Sequence, residues 1–173
     1  DIGRKLVVSH EGRTILRPAA FGFDRIPGNR GPVLNPSYWI YEAFPLFEIV
    51  RPEFPWAELA REGMAIIDAA QRSSGRLVPD WVSFGDGRIV PARGFAARFS
   101  YNAVRVPLYL AAAGGHSRSL IGRFDEVWNA QGNGTPQAVD VRSHRVLHPL
   151  RVDKRPLRTP QIPHFPFMLV QAA

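Results

Sequence analysis

The sequence predicts an all-α fold, with helices arranged as part of an α/α toroid and joined by long loops that hold short β pieces. Three observations carry this expectation. Apolar residues recur at helical spacing in several separate stretches. Between these stretches lie Gly-, Pro- and Asn-rich segments that cannot continue a helix. The connecting segments also hold aromatic and polar residues together, as happens where paired helices place a site on one rim of a toroid. A chain of 173 residues, 45% hydrophobic and 21% charged, suffices for a single domain over residues 1–173 with its own core.

Taken in order, "DIGRKLVV" reads as a short helical or extended piece and "RTILRP" as a strand. The Gly/Pro/Asn-rich "FGFDRIPGNRGPV" is a loop. "SYWIYEAFPLFEIV" reads as a buried helix with Ser37 as its cap, and Pro45 predicts a kink or an early break. Residues 56–71 form the clearest amphipathic helix, with Trp56, Leu59, Ala60, Met64 and Ile67 on its apolar face and Glu58, Arg61 and Glu62 outside it. "SSGRLVPDWVSFGDGRIVPARG" is a loop with one or two extended pieces and a Gly-Asp-Gly turn. A helix over "FSYNAVRVPLYLAAAGG" is stopped by Gly114 and Gly115. Ser117 then caps a further helix to about Ala130, with Leu120, Ile121, Phe124, Val127 and Trp128 apolar. After "QGNGTP" the chain reads as irregular until "FPFMLVQAA", which fits the start of a final helix.

Composition narrows the function classes. There are no cysteines, which excludes disulfides and thiolate metal sites. No apolar run approaches the roughly 18 residues needed to cross a bilayer, so no membrane association is expected. "DIGRKLVVSH" does not fit a signal peptide. The net charge of +7 owes much to Arg142, Arg145, Arg151, Lys154, Arg155 and Arg158 in one Pro-rich stretch. No aromatic residues interleave that run, so it reads as a solvated loop and no nucleic-acid partner is expected.

The helix at 99–113 poses the sharpest question. Asn102, Arg105 and Tyr109 sit at i, i+3 and i+7 and form a polar stripe, with Val104, Leu108 and Ala111 on another side and available to pack inward. Spacing alone leaves open whether the stripe is merely solvated or lines a cleft. Three segments bear on this: "NPSYW" (35–39), "PDW" (79–81) and "SYNAVR" (100–105). They supply Tyr38, Trp39, Trp81 and Tyr101 as flat faces, with Asp80 and Arg105 as polar anchors, a combination suited to a sugar ring. Taken singly, each Trp fits core packing equally well.

"LNPSYW", a helix starting "PW", "VPDWV" and "SYNAVRVPLYLA", in this order, resemble glycoside hydrolase family 8, the bacterial endoglucanase and cellulase family. The resemblance spans about Ile15 to Gly114 and continues more weakly beyond. It implies an (α/α)6 barrel that hydrolyses β-1,4-glucan internally with inversion, using two carboxyl groups and neither a metal nor an organic cofactor. It further implies a periplasmic or secreted location, Tyr38 beside the attacking water, and Arg105 paired with the general base. The family's base, the Asp of a Ser/Gly-Tyr-Asp-Ala-x-Arg segment, falls on Asn102. A carboxamide holds a water but does not take its proton near neutral pH. Asp80, Asp86 and Glu42 are the other carboxylates that this region offers as a base.

The family's general acid, a Glu in a "SEGQSYG"-like segment, and its "ASDGD"-like sugar-gripping segment have no match; Glu11 in "SHEGRT" reads as a surface turn residue. The chain therefore resembles the C-terminal half of a family 8 domain. It is expected to supply the cleft wall through Tyr38, Trp39, Asp80, Trp81, Tyr101, Asn102 and Arg105, with an N-terminal half as a possible separate partner chain. By itself it is expected to be inactive. The rival expectation is a non-catalytic glycan-binding or scaffolding remnant.

Overall fold

The computed structural model describes residues 2–114, 117–130 and 137–149. The chain starts with α1 (Ile2–Leu6) and passes directly into β1 (Val7–His10), which pairs antiparallel with β2 (Arg13–Leu16). Glu11 and Gly12 join the two strands with φ of 49° and 72°, the backbone that matches strand twist in a two-residue turn. A second sheet has the order β3-β4-β5, with β3 at Val33–Leu34, β4 at Val82–Gly85 and β5 at Arg88–Pro91. The Gly-Asp-Gly turn is its hairpin tip, with Asp86 and Gly87 again at positive φ. A third sheet pairs β6 (Arg98–Phe99), β7 (Gln137–Asp140) and β8 (Val146–Pro149) in that order.

The all-α expectation is thus corrected: among the described residues there are eight strands in three antiparallel sheets. Each strand has two to four residues, too few for hydrophobic alternation to stand out. β7 and β8 occupy a segment expected to be irregular. The expected final helix "FPFMLVQAA" and the basic residues from Arg151 onward lie outside the described residues.

Four further helices follow, α2 (Phe44–Val50), α3 (Trp56–Ser73), α4 (Arg105–Ala113) and α5 (Arg118–Ala130). α2 packs on α3, α4 on α5, and α3 also meets α5. α3 buries Trp56, Leu59, Gly63, Ile66, Ile67 and Ala70, so its inward stripe is rotated slightly from the predicted face and Ala60 and Met64 form its shoulder. Glu58 and Glu62, one turn apart, reach β2: Thr14 Oγ1 donates to Glu58 at 2.5 Å and Arg13 Nε to Glu62 at 2.5 Å.

The stretch predicted as one helix from Ser37 is divided. Two 3-10 turns, Pro36–Tyr38 and Tyr41–Ala43, precede α2. Asn35, not Ser37, is the cap: its Oδ1 accepts from the Ser37 N–H at 3.1 Å. Pro45 lies in the first turn of α2, where its missing N–H costs nothing, so it starts a helix rather than kinking one.

α4 likewise starts later than expected, because Arg98–Phe99 is a strand and 101–104 is a turn. Its inward residues are Val106, Pro107 and Leu110; Leu108 and Ala111, expected to pack, are exposed. Ser117 does not cap α5 through its side chain. Its buried hydroxyl donates instead to the carbonyls of Leu110 and Gly114, both at 2.6 Å, tying the end of α4 to the start of α5.

One continuous core joins these parts, running from Ile15 and Leu34 through Trp39, Leu59, Ile66 and Phe84 to Phe99 and Phe124. Trp128 packs against it as expected, 6.3 Å from the Phe99 ring and 5.9 Å from Phe124.

Candidate functional site

The site forms where the 3-10 turn after β3 meets the turn that starts α4. Arg105 Nη2 donates to Asn102 Oδ1 at 2.8 Å and to Ser37 Oγ at 3.0 Å. The Ser37 hydroxyl in turn donates to Asn35 Oδ1 at 2.7 Å. Asn35 and Ser37 are buried, so a directional chain runs from the guanidinium through the hydroxyl to the carboxamide. Asn35 Nδ2 has no hydrogen-bond partner. Among the described residues Arg105 makes no ion pair, and the oxygens that hold it are neutral.

Asp80 is behind this turn rather than in it. It is buried, and its Oδ1 accepts the N–H groups of Ser100 at 3.0 Å and Ala103 at 2.8 Å. Its own N–H donates to the Arg98 carbonyl at 2.8 Å. Burial raises its pKa above the usual carboxylate value, opposed by the N–H donors and by Arg98. Through Oδ1, Asp80 thus holds the turn that carries Tyr101 and Asn102.

Trp39 is corrected. It is 1% exposed, its indole N–H donates to the Leu59 carbonyl at 3.1 Å, and a Cβ on Gly63 would stand 2.2 Å from its ring. A ring wedged against a helical glycine has no face left for a ligand. Trp81 is half-buried in an aromatic group, stacked on Phe95 at 4.7 Å and Phe23 at 5.4 Å, with Tyr38 edge-on at 6.3 Å. Tyr101 is 59% exposed beside Asn102. Tyr109, the third residue of the expected stripe, is half-buried against the core.

The remaining carboxylates are elsewhere. Glu11 lies in the β1–β2 turn, as expected, and accepts the N–H groups of Asp86 at 2.9 Å and Gly87 at 3.1 Å, which lower its pKa. Asp86, at the β4–β5 tip, is bound by Arg30 at 2.6 Å. Glu42 is exposed in the second 3-10 turn. Among the described residues, no group of three or more His, Cys, Asp or Glu is placed to hold a metal, and no helix is long and apolar enough to cross a membrane.

Sequence reasoning singled out Arg105 and Asn102 but not Ser37 and Asn35 as their partners. Ser37 was legible only as a cap, and its contact with Arg105 joins residues 68 positions apart. Phe23 and Phe95 were missed for the same reason: each lies in a Gly-rich loop with no periodicity to mark it.

The sequence model for "Glycosyl hydrolases family 8" matches residues 2–147. The chain is 34% identical over 115 residues to an endoglucanase of Cellulomonas uda, covering 66% of this chain and 31% of that protein. It is 33% identical over 134 residues to a probable endoglucanase of Novacetimonas hansenii, covering 73% and 37%. The crystal structure of an endoglucanase from Komagataeibacter sucrofermentans superposes with a TM-score of 0.75 at 28% identity, covering 87% of this chain and 48% of that one. The chain thus spans about a third of the length of these curated relatives and about half of the solved structure. By the match of its sequence over 2–147 and of its backbone to that structure, the chain belongs to glycosyl hydrolase family 8.

Proposed function

We propose that this chain is part of an inverting endo-β-1,4-glucanase with an (α/α)6 toroid, acting in the periplasm or outside the cell. It supplies one wall of the glycan cleft. Tyr38, Trp81 and Tyr101 offer apolar surface to the sugar rings, and Arg105 with Asn102 forms the polar floor. Trp39 and Asp80 support this wall from behind. The observation that carries the reading is the Arg105 guanidinium, held by Ser37 and Asn102 on segments that resemble the family's water-activating region.

Inverting hydrolysis needs an acid at the leaving oxygen and a base roughly 6.5–9.5 Å from it. Asn102 cannot act as that base, and the chain carries no match to the acid-bearing segment. Alone it therefore binds glucan without cleaving it. A second reading, a non-catalytic glycan-binding part, is favoured by the same carboxamide at position 102.

Calorimetric titration with cello-oligosaccharide tests the shared claim. Tyr101→Ala is expected to weaken binding by about 1 kcal/mol, the contribution of a sugar-facing aromatic ring. Equal affinity for both proteins removes Tyr101 from the cleft.

A further inference from the structure

The hydrogen bonds round Arg105 run in a fixed direction, and that direction decides what Asn102 offers a ligand. A guanidinium carries only donors, so any group bonded to it must turn an acceptor towards it. Asn102 does so with both its oxygens: Oδ1 accepts from Nη2 at 2.8 Å, and the main-chain carbonyl accepts the Arg105 N–H at 3.2 Å. The planar carboxamide carries its nitrogen on the other arm, so Nδ2 points away from Arg105 as a donor. Asn102 is half-buried beside exposed Tyr101, and among the described residues its Nδ2 has no partner. An aspartate there would turn a second acceptor the same way, so the carboxamide reverses the hydrogen-bonding sense of one atom.

Ser37 sets this direction from behind. Its hydroxyl has a single proton, which goes to Asn35 Oδ1 at 2.7 Å, so it meets Arg105 Nη2 at 3.0 Å as an acceptor. Asn35 must present oxygen there, because the same Oδ1 also takes the Ser37 N–H at 3.1 Å. Asn35 and Ser37 are 0% and 2% exposed, which shields the arrangement from bulk water and strengthens each of its bonds.

We infer that Ser37 is a positioning residue and that Asn102 is a hydrogen-bond donor to the glycan. Ser37, locked by Asn35, fixes the Arg105 guanidinium; Arg105 holds Asn102 by its oxygens; and Nδ2 is left to donate to a hydroxyl or ring oxygen of a sugar. The inference rests on the glycan cleft proposed above. Position 102, where the family resemblance puts a proton acceptor, is here a binding group.

The test combines heteronuclear NMR and calorimetry on the 173-residue chain, with cellopentaose as the probe. In the free parent the Asn102 Nδ2 group, identified by its loss in Asn102→Asp, is expected to be as rigid as the backbone around it. In Ser37→Ala it is expected to gain fast motion while the backbone of α4 keeps its order. A hydroxyl with a merely structural role would not confine its effect to one carboxamide. Should Ser37→Ala not fold, Ser37→Cys replaces it, because a thiol of similar size is too weak an acceptor to hold the guanidinium. On titration of the parent with cellopentaose the Nδ2 protons are expected to shift downfield. Ser37→Ala and Asn102→Ala are each expected to weaken binding by about tenfold, the usual contribution of one hydrogen bond. The double variant should bind no more weakly than either single one, because both remove the same donor.

Unchanged order at Asn102 Nδ2 in the Ser37 variant, or additive losses in the double variant, overturns the positioning role. Nδ2 protons that stay in place while cellopentaose binds overturn the donor role. Both of these results leave the glycan cleft standing. A parent chain that binds no cellopentaose refutes the proposed function, and the donor role with it.

Discussion

One hydrogen bond of 2.8 Å joins Arg105 to Asn102 at the centre of the proposed site. Replacing the carboxamide by a carboxylate puts a negative charge where Asn102 Oδ1 now accepts from the guanidinium. The opposite charge then holds the new acid ionised, below its usual pKa. In protein that contains the rest of the domain, Asn102→Asp is expected to raise the hydrolysis rate by about 10²–10⁴-fold, the usual range for general-base assistance. Unchanged or lower rates in a reducing-end assay would mean that another carboxylate already holds the water. Two neighbouring aromatics should separate cleanly by stability. Trp39→Ala empties a fully buried site against Gly63 and should cost about 3–5 kcal/mol in chemical denaturation. Tyr101→Ala, at an exposed position, should leave the unfolding midpoint within about 0.5 kcal/mol of the parent.

The turn between β6 and α4 is held by a single carboxylate, and that makes the element sensitive to pH. Burial raises the Asp80 pKa in the folded chain, so between its unfolded and folded values the native state binds more protons than the unfolded state. The Asp80 contribution therefore makes stability fall as pH rises through that window, starting from the ordinary carboxylate range. Asp80→Asn keeps an acceptor for the Ser100 and Ala103 N–H groups and should flatten this part of the pH–stability curve. Asp80→Ala leaves both donors unpaired and should cost about 1–3 kcal/mol per donor left without water. Thermal unfolding of the three proteins between pH 4 and 7 checks both outcomes.

The same turn shows where sequence reading stopped. Spacing placed Asn102 and Arg105 side by side, and they do touch, but through a turn at 101–104 rather than along a helix. α3 and α5 were legible because they carry many turns of periodic apolar residues. Residues 36–50 were not, because three short helical pieces share one apolar run and only backbone geometry separates them. Strands β6 and β7 pair Arg98 with Asp140 and Phe99 with Val139, partners too distant in sequence for any local pattern to encode.

At the scale of the whole molecule, the three sheets hold the loops in place and the helix pairs α2 with α3 and α4 with α5 form the packed body. The toroid expectation came from helices alternating with loops rich in aromatic residues. It anticipated the helix pairs but not the hairpins, whose two-residue turns were visible only as Gly-Asp-Gly and Glu-Gly. The candidate site draws on two of these parts, the turn after β3 and the start of α4, and among the described residues its Arg105 makes no ion pair. The proposed function is thus a division of labour: this chain contributes the cleft wall, and the proton-transferring pair is incomplete within it. The most direct measurement is release of reducing ends from carboxymethyl-cellulose by the purified 173-residue chain. No release above a protein-free control is expected, whereas turnover that follows the chain through repurification would contradict this division of labour.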